Sequence, residues 1–99
     1  MARFGVYRLR DGQGHVLDCQ SNLLSALTTR FVVPLQPRSD APEAARRLNP
    51  IFEIEGQPFV MLTQFSASLE TRELGAEVCS LQEQDTVIMN ALDMLLTGY

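Results

Sequence analysis

From Phe4 to Thr63 the apolar residues of this chain come in short runs, each closed by turn-forming residues, and only after Ser80 do they recur at helical spacing. That change of period limits the fold more than any other feature. Segments that alternate every second residue must pair into a sheet, and one late amphipathic helix must cover a face of it. With 45% hydrophobic residues in 99 positions, one core can be filled, and residues 1–99 are expected to form one mainly β domain.

Phe4–Leu9 reads as a strand, with Phe4 and Val6 facing one way and Tyr7 and Leu9 the other. Asp11-Gly12-Gln13-Gly14 supplies a turn, and His15–Cys19 returns. Leu23 and Leu24 lie in a short segment with no clear period. Arg30–Leu35 is a strand by composition; Pro34 donates no hydrogen bond, so an edge or a strand end is expected there. Residues 36–42 read as a loop, and 42–48 as one or two helical turns with Asp40 as cap and Pro50 as stop. Ile51–Ile54 and Phe59–Thr63 form a second hairpin around Glu55–Pro58, and the uniformly apolar Phe59–Leu62 suits a central strand. Residues 64–75 are polar and broken, with a short strand around 69–72.

Ser80 followed three residues later by Glu83 has capping-box spacing. Val87, Ile88, Ala91, Leu92 and Leu95 then recur at helical intervals and Gly98 is a natural stop, which predicts one helix over 82–96. Met89, Met94 and Leu96 widen the apolar stripe. Either one broad core face or a second packing partner, such as another subunit, accounts for that width.

The chemistry these residues could carry is sparse. There are 12 acidic residues against 8 basic ones, all Arg, and the net charge of -4 disfavours direct binding to nucleic acid. Cys19 and Cys79 form no metal-binding spacing with the lone His15, so no metal or other cofactor is expected, and the thiols read as small reduced core residues. No apolar run is long enough to cross a membrane and no signal sequence is evident, so a cytoplasmic protein is expected. No phosphate loop is completed. His15 beside a turn reads as a solvated residue, and the pairs Glu53/Glu55 and Glu70/Glu73 as solvated charges. Cys79, ahead of the helix, has no neighbouring base. Arg46-Arg47 is the densest positive spot: a solvated face, or a docking point for an acidic peptide. None of this is an enzyme signature.

Phe4-Gly5-Val6-Tyr7, Leu17-Asp18-Cys19-Gln20-Ser21, Arg30–Leu35, Leu48–Gly56, Met61-Leu62-Thr63 and the closing Asn90–Tyr99 resemble, in order and spacing, the CcdB family of toxins from toxin–antitoxin systems. The resemblance spans nearly the whole chain. It implies a small antiparallel barrel of the Src-homology-three-like type with a C-terminal helix, acting as a homodimer whose helix ends meet near the two-fold axis. It also implies binding to the A subunit of DNA gyrase, trapping of the cleaved complex, and neutralisation by the tail of a CcdA-like antitoxin, without catalysis and without a membrane.

Carried over position by position, the resemblance implies a gyrase-binding set of Leu23, Leu24, Asp93, Leu96, Thr97, Gly98 and Tyr99. Met94, Gly98 and Tyr99 fall at the dimer axis, and an antitoxin tail is expected across Arg8, Arg10, Arg46 and Arg47. The family's terminal Trp-Gly-Ile is here Thr97-Gly98-Tyr99, its helix-end Asn is Asp93, and the chain has no Trp. Two other readings stay open: a dimer that binds antitoxin but no longer poisons gyrase, and an RNA-cleaving toxin of the same fold, which the acidic composition and single histidine disfavour.

Overall fold

The computed structural model describes residues 3–41 and 45–98. Seven strands, β1 (Gly5–Leu9), β2 (His15–Asp18), β3 (Thr29–Pro37), β4 (Ile51–Ile54), β5 (Gln57–Met61), β6 (Ala67–Glu70) and β7 (Leu74–Ser80), precede one helix, α1 (Asp85–Thr97). They form a curled antiparallel sheet in the order β4-β5-β3-β2-β1-β7, with β6 also on β3. The mainly β, half-barrel architecture with a C-terminal helix is the one expected.

The first hairpin forms as read, with Val6 opposite Leu17 and Arg8 opposite His15. Alternation sorts its side chains onto two faces. Phe4, Val6, Leu17, Val33 and Met61 join the main core under α1, while Tyr7, Val16, Val32 and Leu74 form a smaller cluster on the other face. The second hairpin is tighter than expected. Ile54 pairs with Gln57, and the two turn residues, Glu55 and Gly56, have φ of 52° and 79°, the positive pair that matches strand twist. Pro58 is therefore in β5, opposite Glu53. In a two-residue hairpin that position has its backbone N turned away from the partner strand, so proline costs nothing there.

Pro34 is neither at an edge nor at a strand end. It lies inside β3, opposite Val16, where the other side of β3 changes partner: β6 pairs as far as Val32 and β5 begins at Leu35. The Pro34 carbonyl accepts from Leu62 N–H at 2.9 Å. The missing donor points into the same gap, where no ladder partner waits. β3 also runs on to Pro37, so residues 36–37 are strand, and Arg38–Asp40 form a 3-10 turn; the cap expected of Asp40 falls on residues outside the described part. Of the helical turn expected over 42–48, residues 42–44 lie outside the described part; Asn49 N–H donates to Ala45 O at 2.7 Å, closing one turn.

β6 lies earlier than expected, and β7 was not expected at all. β7 is an outer strand with a single buried residue, Leu74, and two register shifts against β1, so it carries little hydrophobic pattern. Its Gly75 is required by close approach: a Cβ would stand 3.0 Å from the Arg8 carbonyl oxygen. β7 also undoes the expected capping box. Ser80 ends the strand, and Leu81 N–H donates to Phe4 O at 2.8 Å. Ser80 Oγ accepts from Gln82 N–H instead. A 3-10 turn follows, and α1 starts at Asp85 with no side-chain cap. The capping box that does form uses Glu70 and Glu73, and Arg72 Nε bonds Glu70 at 2.7 Å; these exposed carboxylates are structural.

Neither cysteine is bridged. Cys19 is buried in the main core, and Cys79 packs against it. No described helix is long and apolar enough to cross a membrane, and no described cluster of three His, Cys, Asp or Glu could hold a metal.

Candidate functional site

The far end of α1 leaves apolar side chains exposed. Ile88, Ala91 and Leu92 face the core at i, i+3 and i+4. Val87 and Leu95, expected on that stripe, are exposed instead, because three residues already span the contact with the sheet. Met89 packs on the core edge, whereas Met94 is 38% and Leu96 75% exposed. The helix ends as its sequence requires: Gly98 takes φ 82° and donates its N–H to Met94 O at 3.0 Å. Thr97 Oγ1 bonds back to Asp93 O at 2.7 Å, and Asp93 is exposed where the helix dipole is negative. Tyr99 lies outside the described residues.

Leu23 and Leu24 sit on a 3-10 turn, Asn22–Leu24, with no buried residue; Leu23 is 93% and Leu24 51% exposed. Since no apolar contact anchors it, the turn depends on polar fasteners. Ser21 Oγ accepts from Leu23 N–H. The Gln20 amide donates to Leu24 O and to Thr29 O, both at 3.0 Å, and accepts from Phe31 N–H at 2.9 Å. At the other end Arg3 N–H donates to Asn22 Oδ1 at 3.0 Å. The Arg3 side chain then reaches α1: Nη2 contacts Met89 Sδ at 3.3 Å, Nε donates to Cys19 O at 3.2 Å, and the guanidinium lies 4.6 Å from the Phe4 ring centre. Arg3 thus links the Leu23–Leu24 turn to the helix that carries Asp93, Leu96 and Thr97. Sequence reasoning missed this link, since Arg3 and Met89 are 86 positions apart and nothing local marks them.

Two of the four arginines expected along one track make side-chain contacts. Arg8 Nη2 pairs with Glu55 Oε1 at 3.1 Å, both groups about half exposed, and Arg10 Nη2 donates to Leu74 O. Arg46 and Arg47 are exposed and precede β4. What adjoins the first hairpin is a cavity of about 740 Å³, lined by apolar side chains such as Leu9, Leu35, Phe59 and Leu69, with Gln13, Gln57 and Asp40 among its polar groups.

His15 lines that cavity and is not the solvated residue expected. Its ring stands edge-on to Phe59, with centroids 5.2 Å apart, and its buried Nε2 has no hydrogen-bond partner. Burial holds its pKa below the ordinary value; Arg8 pushes the same way and Glu55 opposes. The Cys19 thiol is pushed up to about 12 by burial and by the Asp18 carboxylate. Cys79 is also raised, by burial, Glu55 and Glu77. Neither thiol is activated as a nucleophile.

The fold is similar to that of the Mycobacterium tuberculosis toxin MazF-mt6, with a TM-score of 0.77 over 95% of this chain and 96% of that one. At 16% identity this likeness concerns architecture. A family model described as CcdB protein matches residues 3–98, which takes in the Leu23–Leu24 turn, the cavity and the helix end alike. The chain belongs to the CcdB family, the toxin side of toxin–antitoxin systems.

Proposed function

We propose that this chain is a toxin that acts by binding and not by catalysis: as a homodimer it engages the A subunit of DNA gyrase, and a CcdA-like antitoxin tail neutralises it. The observation that carries this reading is the pair of exposed apolar elements, Leu23–Leu24 and the Met94–Leu96 end of α1, with Arg3 bridging the turn to α1 at Met89. Exposed leucines this prominent mark a surface meant for a protein partner. The cavity beside Gln13, Gly14 and His15 offers apolar side chains of an antitoxin tail a pocket, with Arg8 and Arg10 at the hairpin nearby.

The test is induced expression in a host with sensitive gyrase, followed by a cleavage assay with purified gyrase and DNA. Growth arrest with accumulation of cleaved DNA is expected. Binding to antitoxin without growth arrest would leave only the antitoxin half of the reading.

A further inference from the structure

We propose that Arg3 is a positioning residue that fixes the Leu23–Leu24 turn against α1, so that two separate apolar elements are presented as one surface. The inference rests on the reading that these elements meet the target together.

None of the turn's three residues is buried, so hydrophobic packing does not set its orientation. Its own hydrogen bonds, Leu24 N–H to Ser21 O and Ser25 N–H to Asn22 O, define its shape and not its place on the protein. Gln20 ties its end to β3. Its start follows Gln20, whose N–H is held by Asp18 Oδ1, and Asn22 itself is tied to the Arg3 backbone; the Arg3 side chain is held in turn by three partners: Cys19 O, the Phe4 ring and Met89 Sδ. Of these, only Met89 belongs to α1. A planar guanidinium holds its donors to the carbonyl and the sulfur in fixed directions, whereas the donors of an ammonium rotate. Cutting either Arg3–Met89 or Arg3–Asn22 should let the turn move while the two cores stay packed.

The variants are Arg3→Leu, which keeps an apolar stem over Phe4, Met89→Leu, which removes the sulfur and keeps the packing, and Asn22→Ala. Two quantities are read: amide exchange at Leu24, Ser25 and Leu27 against exchange in β3, and affinity for the purified gyrase A subunit. Exchange in the turn should quicken about tenfold, the worth of a net hydrogen bond, with β3 and the urea midpoint nearly unchanged. Affinity should fall by a similar factor. In a Leu23→Ala/Leu24→Ala background, Arg3→Leu should then cause no further loss, because it acts through those leucines; a general loss of structure would add to theirs. Unchanged exchange in the turn, or full additivity with the leucine variants, overturns the proposal. If wild type binds no gyrase while turn exchange still responds to all three variants, the positioning role stands and the gyrase reading falls.

Discussion

Arg30 and Asp18 form an ion pair sealed inside the protein: Arg30 Nη2 donates to Asp18 Oδ2 at 2.6 Å and Nε to the same oxygen at 3.1 Å, with side chains 1% and 0% exposed. Asp18 Oδ1 accepts from Gln20 N–H at 3.1 Å, so the pair continues into the Gln20 fasteners of the Leu23–Leu24 turn. Removing one partner strands a buried charge, and Asp18→Leu or Arg30→Met alone should destabilise by about 3–5 kcal/mol. Both changes together should cost much less than the sum of the two. Urea unfolding of the three variants checks this; simple additivity would mean the charges do not depend on each other.

His15 makes a pH prediction with a defined sign. Its imidazole is held neutral in the fold, first by burial and then by Arg8. The stability this neutral form supports is present above the ordinary histidine value of about 6.5 and is lost as pH falls below it. With one histidine in the chain, its proton NMR titration is unambiguous. Arg8→Gln should raise the midpoint and Glu55→Gln should lower it. The absence of both shifts would place the Arg8–Glu55 pair away from the ring.

Cys19 acts at the other end of the pH scale. Its thiol is pushed up to about 12 by burial, against a reference of 9.0, so the folded state keeps a proton that the unfolded chain releases. Stability is therefore complete below about pH 9 and declines as pH rises toward about 12. Cys19→Ala should flatten this alkaline decline. In the native protein a thiol reagent should modify Cys79 first and reach Cys19 only at the rate of unfolding; equal rates would contradict the burial of Cys19.

The elements legible in the sequence were those whose information is local. The first hairpin was fixed by alternation around Asp11–Gly14, and the helix stop by Gly98. Pro34 misled because a proline rule read from one strand cannot see that β3 changes partners beside it. β7 was missed because an outer, bulged strand needs few apolar residues. For the candidate site, the resemblance pointed to Leu23, Leu24 and the helix end, but it could not reveal the Arg3 contacts that run from the turn to α1. The Arg3–Met89 contact closes across the whole chain, and long-range polar contacts leave no periodic trace.

The exposed end of α1 predicts a dimer. Met94 and Leu96 offer apolar surface to solvent, and a specific dimer should bury on the order of 1,200–2,000 Å² in total. Light scattering at micromolar concentration should give twice the monomer mass, and Met94→Glu should return the monomer. A wild-type monomer at that concentration would count decisively against the dimer.

The last prediction concerns the position after Leu96. Thr97 stands where the resemblance implies a stacking Trp, and its hydroxyl is engaged with Asp93 O, so it presents little more than a methyl group to a partner. An aromatic pair contributes about 0.5–1.5 kcal/mol beyond the area it buries, and a desolvated arginine over the ring adds about 2 kcal/mol. Together these correspond to roughly one to three orders of magnitude in affinity. Asp93 works against the site twice. It places a negative charge at the negative end of α1, which has no basic residue in its last turn, and it keeps that charge exposed on the surface assigned to gyrase. Thr97→Trp should therefore raise gyrase poisoning, and Thr97→Trp with Asp93→Asn should raise it further while stabilising the helix by about 0.3–1 kcal/mol. A cleavage assay across toxin concentrations, with wild type and both variants side by side, measures the effect. Full-strength poisoning by wild type, abolished by Tyr99→Ala, would assign the stacking role to Tyr99 and refute this account of Thr97.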